Sequence, residues 1–582
     1  MKKTATKIVS IYFFIHLLTV FSSDFGQKAF AQTQKAELEQ ENVDVNKTNE
    51  FELISKPPIK TNAEITSLPT LTISKDAEID FSETITFNRL TFREIPNELA
   101  PNIPNDALGN YVKAGFGNYM TPYFEGFYSR DLNEKNKFGI FAHHLSSMNG
   151  VVDGQNSGYG NTNILLFSEH TKERFIFSSS INYNLERVHY YGYNPENKLD
   201  IEIPEKRDIR QTYQRLETKI DLTSIPKKDD FGDSSADKLA YKVSVGFNLF
   251  DARNNVNEWQ IPVVGKVSYS ISDKSKIRFE TELHQTQQNS SFINTDNQTI
   301  KLTNNRTLAN FSPSYNFSAE NLTLNIGAGM AYSSDSLLEK ATESKLFFYP
   351  NIDFSYQLSK DKFWIVGEIK GGVKQQFLRM LTVQNPFLAS VQPLSHTFSQ
   401  VDANLALQAK INKNMKANAE VGFAMYDNMP FFAPSVTDSS QFALLYDKVN
   451  VFRLGVSSSY QKNNLSARLS ANYFGYSLTD LEIAHHLPNF QTSLNVGYTF
   501  IEKLKTELTL QQLFGIKTQN LVSETIYKLK PINDLSVSVS YKFTDRISAF
   551  VNGYNLIGQN YQRFVYYPNN GITVIVGGKY IF

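Results

Sequence analysis

The chain has 582 residues, and Lys+Arg and Asp+Glu are equal at 58 each, so its net charge points to neither nucleic acid nor an anionic surface as a partner. With no cysteine it has no disulfide, no thiolate metal site and no lipidated N-terminal cysteine. Aromatic content is 13%, and the mean hydropathy of -0.34 looks soluble only until alternation is considered, because strands with one oily and one wet face average to that value.

Residues 1–31 read as a secretory signal peptide. Lys2, Lys3 and Lys7 form the positive region, residues 8–21 the apolar core, and Ala29-Phe30-Ala31 an A-x-A cleavage site before Gln32. The core is too short to span a hydrocarbon layer of about 30 Å comfortably. No later apolar run is long enough for a spanning helix, so an exported chain of this kind is periplasmic, secreted or a barrel. Residues 32–109 are polar and proline-rich, and read as a periplasmic extension or linker with little core of its own.

From 110 to 582 the pattern becomes period two and continues to the last residue. Leu322, Leu324, Ile326, Ala328 and Met330 alternate with Asn321, Thr323, Asn325, Gly327 and Gly329, and Leu535, Val537, Val539, Tyr541 and Phe543 alternate with Ser536, Ser538, Ser540 and Lys542. About 22 such segments are found, within a range of 20 to 24. They include 276–288, 304–319, 362–378, 415–427, 449–461 and 487–501. Charges fall almost wholly in the polar set, as a lipid-facing exterior demands, since Lys or Arg at the midplane costs about 2 to 4 kcal/mol.

Short polar turns, among them 133–136, 272–275, 359–362 and 461–464, alternate with long connections such as 188–209, 289–303, 379–396, 428–448 and 557–570. A soluble sandwich has no reason for that asymmetry, whereas an outer-membrane barrel has tight periplasmic turns and long outer loops. The connection 225–238 departs from it. Tyr269, Tyr315, Tyr356, Tyr460, Tyr498 and Tyr541 each precede a short turn by a few residues, and Tyr580 takes the same place near the C-terminus; together they predict an aromatic girdle at the periplasmic interface. The fold expected is all-β, a transmembrane antiparallel β-barrel over 110–582.

Two outer connections are unusually oily. Pro386-Phe387-Leu388-Ala389 and Pro430-Phe431-Phe432-Ala433-Pro434 would be poorly solvated in water, so one or both are expected to fold into the barrel mouth or meet a partner. Enzyme signatures are missing: there is no G-x-S-x-G, H-E-x-x-H or P-loop. The pairs His143-His144 and His485-His486 cannot clamp one metal ion on a straight strand, where neighbours point to opposite faces. A Ser/His pair around His284 carries no information among so many serines. No enzyme activity, cofactor or metal is expected.

The ending Asn552-Gly553-Tyr554-Asn555-Leu556-Ile557-Gly558-Gln559-Asn560-Tyr561, then Tyr566-Tyr567-Pro568-Asn569-Asn570-Gly571 and a strand closing on Tyr580 and Phe582, resembles the end of a TonB-dependent outer-membrane receptor. The resemblance extends as architecture over 110–582 and as motif over roughly the last thirty residues. It implies a barrel in the outer membrane of a Gram-negative cell that passes or binds a solute at the surface. Residues 32–109 are too few and too rich in proline for that family's plug domain, so only the barrel part carries over. The alternative is a structural or assembly subunit of an outer-membrane complex. Partners expected are outer-membrane lipid, the barrel-assembly machinery through the C-terminal strand (Tyr580, Phe582), and other outer-membrane or periplasmic proteins.

Overall fold

The computed structural model describes residues 110–152, 154–192, 209–225, 238–253, 256–293, 299–335, 343–360, 362–389 and 391–582. The signal peptide with Ala29, Ala31 and Gln32, the segment 32–109 and most of the connection 225–238 lie outside the described residues.

In chain order the strands are β1 (Tyr111–Gly117), β2 (Thr121–Asn133), β3 (Asn136–Ser147), β4 (Tyr159–Thr171), β5 (Phe175–His189), β6 (Arg210–Ser224), β7 (Leu239–Ala252), β8 (Val256–Ser272), β9 (Ser275–Ile293), β10 (Thr299–Ser318), β11 (Leu322–Asp335), β12 (Glu343–Ser359) and β13 (Phe363–Lys374). After a helix, α1 (Leu378–Gln384), follow β14 (Thr397–Asn412), β15 (Met415–Pro434), β16 (Phe442–Lys462), β17 (Leu465–Leu478), β18 (Phe490–Ile501) and β19 (Leu504–Phe514). The last are β20 (Lys517–Gln519), β21 (Ile526–Lys528), β22 (Ile532–Lys542), β23 (Ile547–Tyr554), β24 (Gln562–Phe564), β25 (Tyr567–Pro568) and β26 (Thr573–Ile581).

Twenty-two of these strands form one antiparallel sheet, each paired with its neighbour in the chain, and β26 pairs with β1 from Tyr111↔Ile581 to Gly117↔Ile575. The sheet is therefore a closed barrel. β20–β21 and β24–β25 are separate two-stranded ribbons in the connections on one rim.

The polarity of this wall is inverted relative to a water-soluble protein. Phe348 is 68% exposed on the outside, while Arg215 is 1% exposed on the inside. Along β11, Ile326, Met330 and Tyr332 point outwards and Asn325 and Ser333 are buried inwards, the parity read from the sequence. Such a surface is stable only if the outer solvent is hydrocarbon, and closure leaves no unpaired edge in it, so the molecule is an outer-membrane β-barrel.

The six predicted segments given above all change at the end nearer the long connections. β9 and β10 continue to 293 and from 299, leaving a short link where 289–303 was expected to be loop. β13 stops at Lys374, and residues 375–377 lead into α1. β18 begins at Phe490. Most substantially, β15 and β16 run on through most of 428–448, so the oily stretch 430–434 is corrected from loop to strand, with Phe431 opposite Leu445 and Phe432 opposite Leu444. The segment was expected to be loop, but β14 stops pairing with β15 at Asp427, so above that level β15 has a strand partner only in β16 and a missing N–H on its other side costs no ladder bond.

Candidate functional site

Among the described residues, connections on the long rim turn inwards and pack against one another and against the inner wall. The largest contribution is residues 375–396, between β13 and β14, which carry α1. Its N-cap position, Phe377, provides no side-chain cap. The orphan N–H groups of Leu378 and Arg379 instead donate to the Glu258 carboxylate on β8, at 3.1 and 3.5 Å.

Two buried arginines of the wall fasten the same segment. Arg306 on β10 donates to the Gln376 carbonyl at 2.6 Å and lies 3.5 Å from Glu258. Arg215 on β6 donates to Thr382 Oγ1 at 2.9 Å and to the Arg379 carbonyl at 3.3 Å, and pairs with Glu186 at 2.9 Å. From the helix, Arg379 reaches back to Glu217 and to Gln260. Tyr213 and Tyr190 donate their hydroxyls to the Pro386 and Leu388 carbonyls at 2.8 and 3.1 Å. At the far end of the segment His396 pairs with Asp335 of β11 at 2.9 Å. Ions removed from water are tolerable only when paired and bonded in this way.

Beneath the polar fastenings lies an apolar core inside the mouth. Leu378, Leu381, Leu388 and Leu394 of the β13–β14 connection pack with Phe432, Phe442 and Leu444 of the β15–β16 hairpin and with Phe564, Val565 and Tyr567 of the β23–β26 connection. Phe387 stacks on Tyr567 with ring centroids 3.5 Å apart, and Tyr567 donates to the Ser440 carbonyl. Of the predicted residues, Leu388 and Phe432 lie in this inner packing and Phe387 lies against it, Pro386 is buried beside them, Phe431 is buried in a separate cluster with Tyr426, Val449, Val451 and Phe474, and Pro430 stands opposite Tyr446.

The β17–β18 connection locks the assembly. His486 Nδ1 lies 2.8 Å from the Phe432 carbonyl, and His486 Nε2 is 3.2 Å from the Val565 N–H. A carbonyl can only accept and a backbone N–H only donate, so the ring is neutral with its proton on Nδ1. The Arg563 guanidinium donates to the His486 carbonyl at 2.7 Å, and burial pushes that guanidinium down to about 10. His485 is bonded to Thr518 Oγ1 at 3.1 Å, and burial holds it well below the usual histidine value, at about 4. His486 and Tyr566 hold φ of 57° and 67°, a left-handed conformation that bulky residues adopt only when their surroundings impose it.

Away from the rim the lumen is wet and carries both signs of charge. Lys266 and Glu280 pair at 3.3 Å with side chains 54% and 46% exposed, and Lys370 lies between Glu368 and Asp353 at 3.1 and 3.6 Å. His284 faces this space, bonded to Gln260 at 3.0 Å and near Glu282 at 3.8 Å, with no serine in its bonds. His144 bonds Thr162 and Ser146 on the wall. Among the described residues no group of three or more His, Asp or Glu is placed to hold a metal ion.

At the turn end, Tyr269, Tyr315, Tyr356, Tyr498, Tyr541 and Tyr580 are exposed on the outer face and Tyr460 is half-buried. Tyr269 and Tyr315 flank Ile277 in one cross-strand row. Tyr580 lies opposite Val112 and Ile547 at the seam, and Phe582 stacks against Tyr128. Arg215, Glu258 and Arg306 were not singled out by the sequence, since nothing in an alternating pattern marks which inward charges stand under a cap; Arg379, Tyr567 and the bonded state of His486 left no sequence signal.

No protein-family model matches the chain, and no curated protein matches it. Solved structures do match in fold. The pyoverdine outer membrane receptor FpvA from Pseudomonas aeruginosa superposes with a TM-score of 0.61 at 11% identity, over 81% of this chain and 78% of that one. The FrpB iron transporter from Neisseria meningitidis gives 0.62 at 9%, over 81% of each chain, and the copper transporter OprC gives 0.61 at 12%, over 81% and 80%. At these identities the likeness is one of fold: the chain has the 22-strand barrel of TonB-dependent receptors.

Proposed function

We propose that this barrel takes up or binds a solute at the cell surface, and that residues 375–396 are the gate across its path. The reading is carried by one observation: this connection is fastened inside the barrel through buried side chains of β6, β8, β10 and β11 and through Tyr190 just past the end of β5, and is not part of the wall itself. A gate of that construction can leave without breaking the barrel. Below it lies a lumen of mixed charge, which favours a polar solute without strong preference for cation or anion. The fold neighbours are named as a pyoverdine receptor, an iron transporter and a copper transporter, which supports uptake as the class of activity while the solute here is identified only as polar.

Conductance of the full-length protein in a planar bilayer tests the gate. The intact protein is expected to be silent or nearly so, and Glu258→Gln combined with Arg306→Gln to produce steady openings. A silent double variant that is correctly folded overturns it.

A second reading, a subunit docking other proteins, is favoured by Val436, Val522 and Ile557, exposed to 62%, 73% and 51% on the long-rim connections. Recovery of one defined partner with the native protein from membranes, together with a double variant that stays silent, selects this reading.

A further inference from the structure

On the outer face of β8, β9 and β10, just above the apolar belt, uncharged polar side chains form a bonded lattice three strands wide. In one cross-strand row, Trp259 donates its indole N–H to Gln287 Oε1 at 2.8 Å, and Gln287 donates to Asn305 Oδ1 at 3.0 Å. In the row above, Asn289 donates to Asn257 at 3.0 Å and Thr303 donates to Asn289 at 3.0 Å. In the row below, Thr307 donates to Gln285 at 2.6 Å beside Ile261. Further down the same face Leu283 and Phe311 are apolar and exposed.

The height of this lattice follows from the strand. From Tyr269, at the turn end of β8, to Trp259 is ten residues, about 33 Å along the strand. At the tilt usual for such barrels, roughly 40°, that is a rise of about 25 Å, the thickness of the outer apolar band. The lattice therefore stands at the level of the outer-leaflet head groups.

Its chemistry selects among what that level contains. Charged phosphates are met by Arg and Lys, and these rows hold neither; the charges bordering them on the same face are Asp251, opposite Asn257, Arg253 two positions further along the chain, and Lys301, opposite Ser291. A primary amide that spends one or two bonds inside a row keeps donors and acceptors for the outside, and an indole adds an amphipathic surface. Both suit the hydroxyl-rich, uncharged part of a glycolipid. We propose that the outer face of β8–β10 is a binding surface for the sugar chain of outer-leaflet glycolipid, lying next to the lipid-covered wall and independent of the gate.

The test uses the purified full-length protein and three probes: glycolipid with its complete core sugars, its lipid A portion alone, which keeps the phosphates, and the delipidated core oligosaccharide. Complete glycolipid is expected to bind about tenfold more tightly than lipid A. The triple variant Trp259→Ala, Gln287→Ala, Asn289→Ala is expected to bind both equally. Equal binding by the wild-type protein, or an advantage that survives in a folded variant, overturns the proposal. Free oligosaccharide binding as tightly as the complete glycolipid overturns the membrane as its source. If the triple variant does not fold, the single changes Gln287→Ala and Asn289→Ala, which fill no core, decide the same question: a reduced advantage supports the surface, and an undiminished one overturns it.

Discussion

The two halves of the lumen are lined by the same strands with the same inward parity, yet they obey different physics. In the half nearer the short turns, Lys266 and Glu280 stand in water, each with about half its side chain exposed. In the half under the cap, Arg306 and Glu258 are almost fully buried and hold each other and the backbone of residues 376–379. An inward charge is thus a solvation device in one place and a structural bolt in the other. What separates them is a segment of about twenty residues laid across the opening.

That contrast can be broken most severely at Glu258. Glu258→Ala strands Arg306 in the dry half, and the mouth is expected to lose about 3 to 5 kcal/mol, while Glu280→Ala in the wet half costs about 0 to 1 kcal/mol. Hydrogen exchange of residues 375–396 in detergent reads the first, and unchanged exchange in both variants would show that the halves do not differ. Leu381→Ala should follow, costing about 2 to 5 kcal/mol through the cavity it leaves in the inner apolar core, and it is measured as faster proteolysis of the β13–β14 connection.

Acid sharpens the comparison from another side. Burial holds His485 at about 4, below the ordinary 6.5, so the closed mouth resists its protonation. The stabilisation is complete above about pH 6.5 and is lost as pH falls towards 4, at most about 3 kcal/mol. Exchange in 479–489 should quicken over that window, and His485→Gln should flatten the dependence. The smallest effect is expected in the wet half, where Lys266→Ala should leave the melting temperature in detergent within about a degree or two.

Most of the wall was legible because lipid imposes a single rule along every strand. Each inward or outward assignment repeats the one two residues before it, and the short turns mark where strands end, so all 22 strands could be read in order. The rule fails where lipid stops. Above the membrane β15 and β16 still pair, but their outer faces need not be apolar and prolines are tolerated, so 430–434 looked like loop. α1 was illegible for a sharper reason: it is seven residues long, has no capping side chain of its own, and takes its cap from Glu258, 120 positions away in the chain. The connection's oiliness said that it needed cover. Only the packing of Phe387 on Tyr567 says where it found it.

The seam between β1 and β26 carries a further consequence. Seven register pairs from Tyr111↔Ile581 to Gly117↔Ile575 join the earliest strand of the wall to the latest. Until that zipper shuts, β1 and β26 each present a row of unmet amides and carbonyls that hydrocarbon will not accept. The cylinder can therefore be completed only once β26 has been made, and whatever escorts it into the bilayer has to shield both of those borders at once.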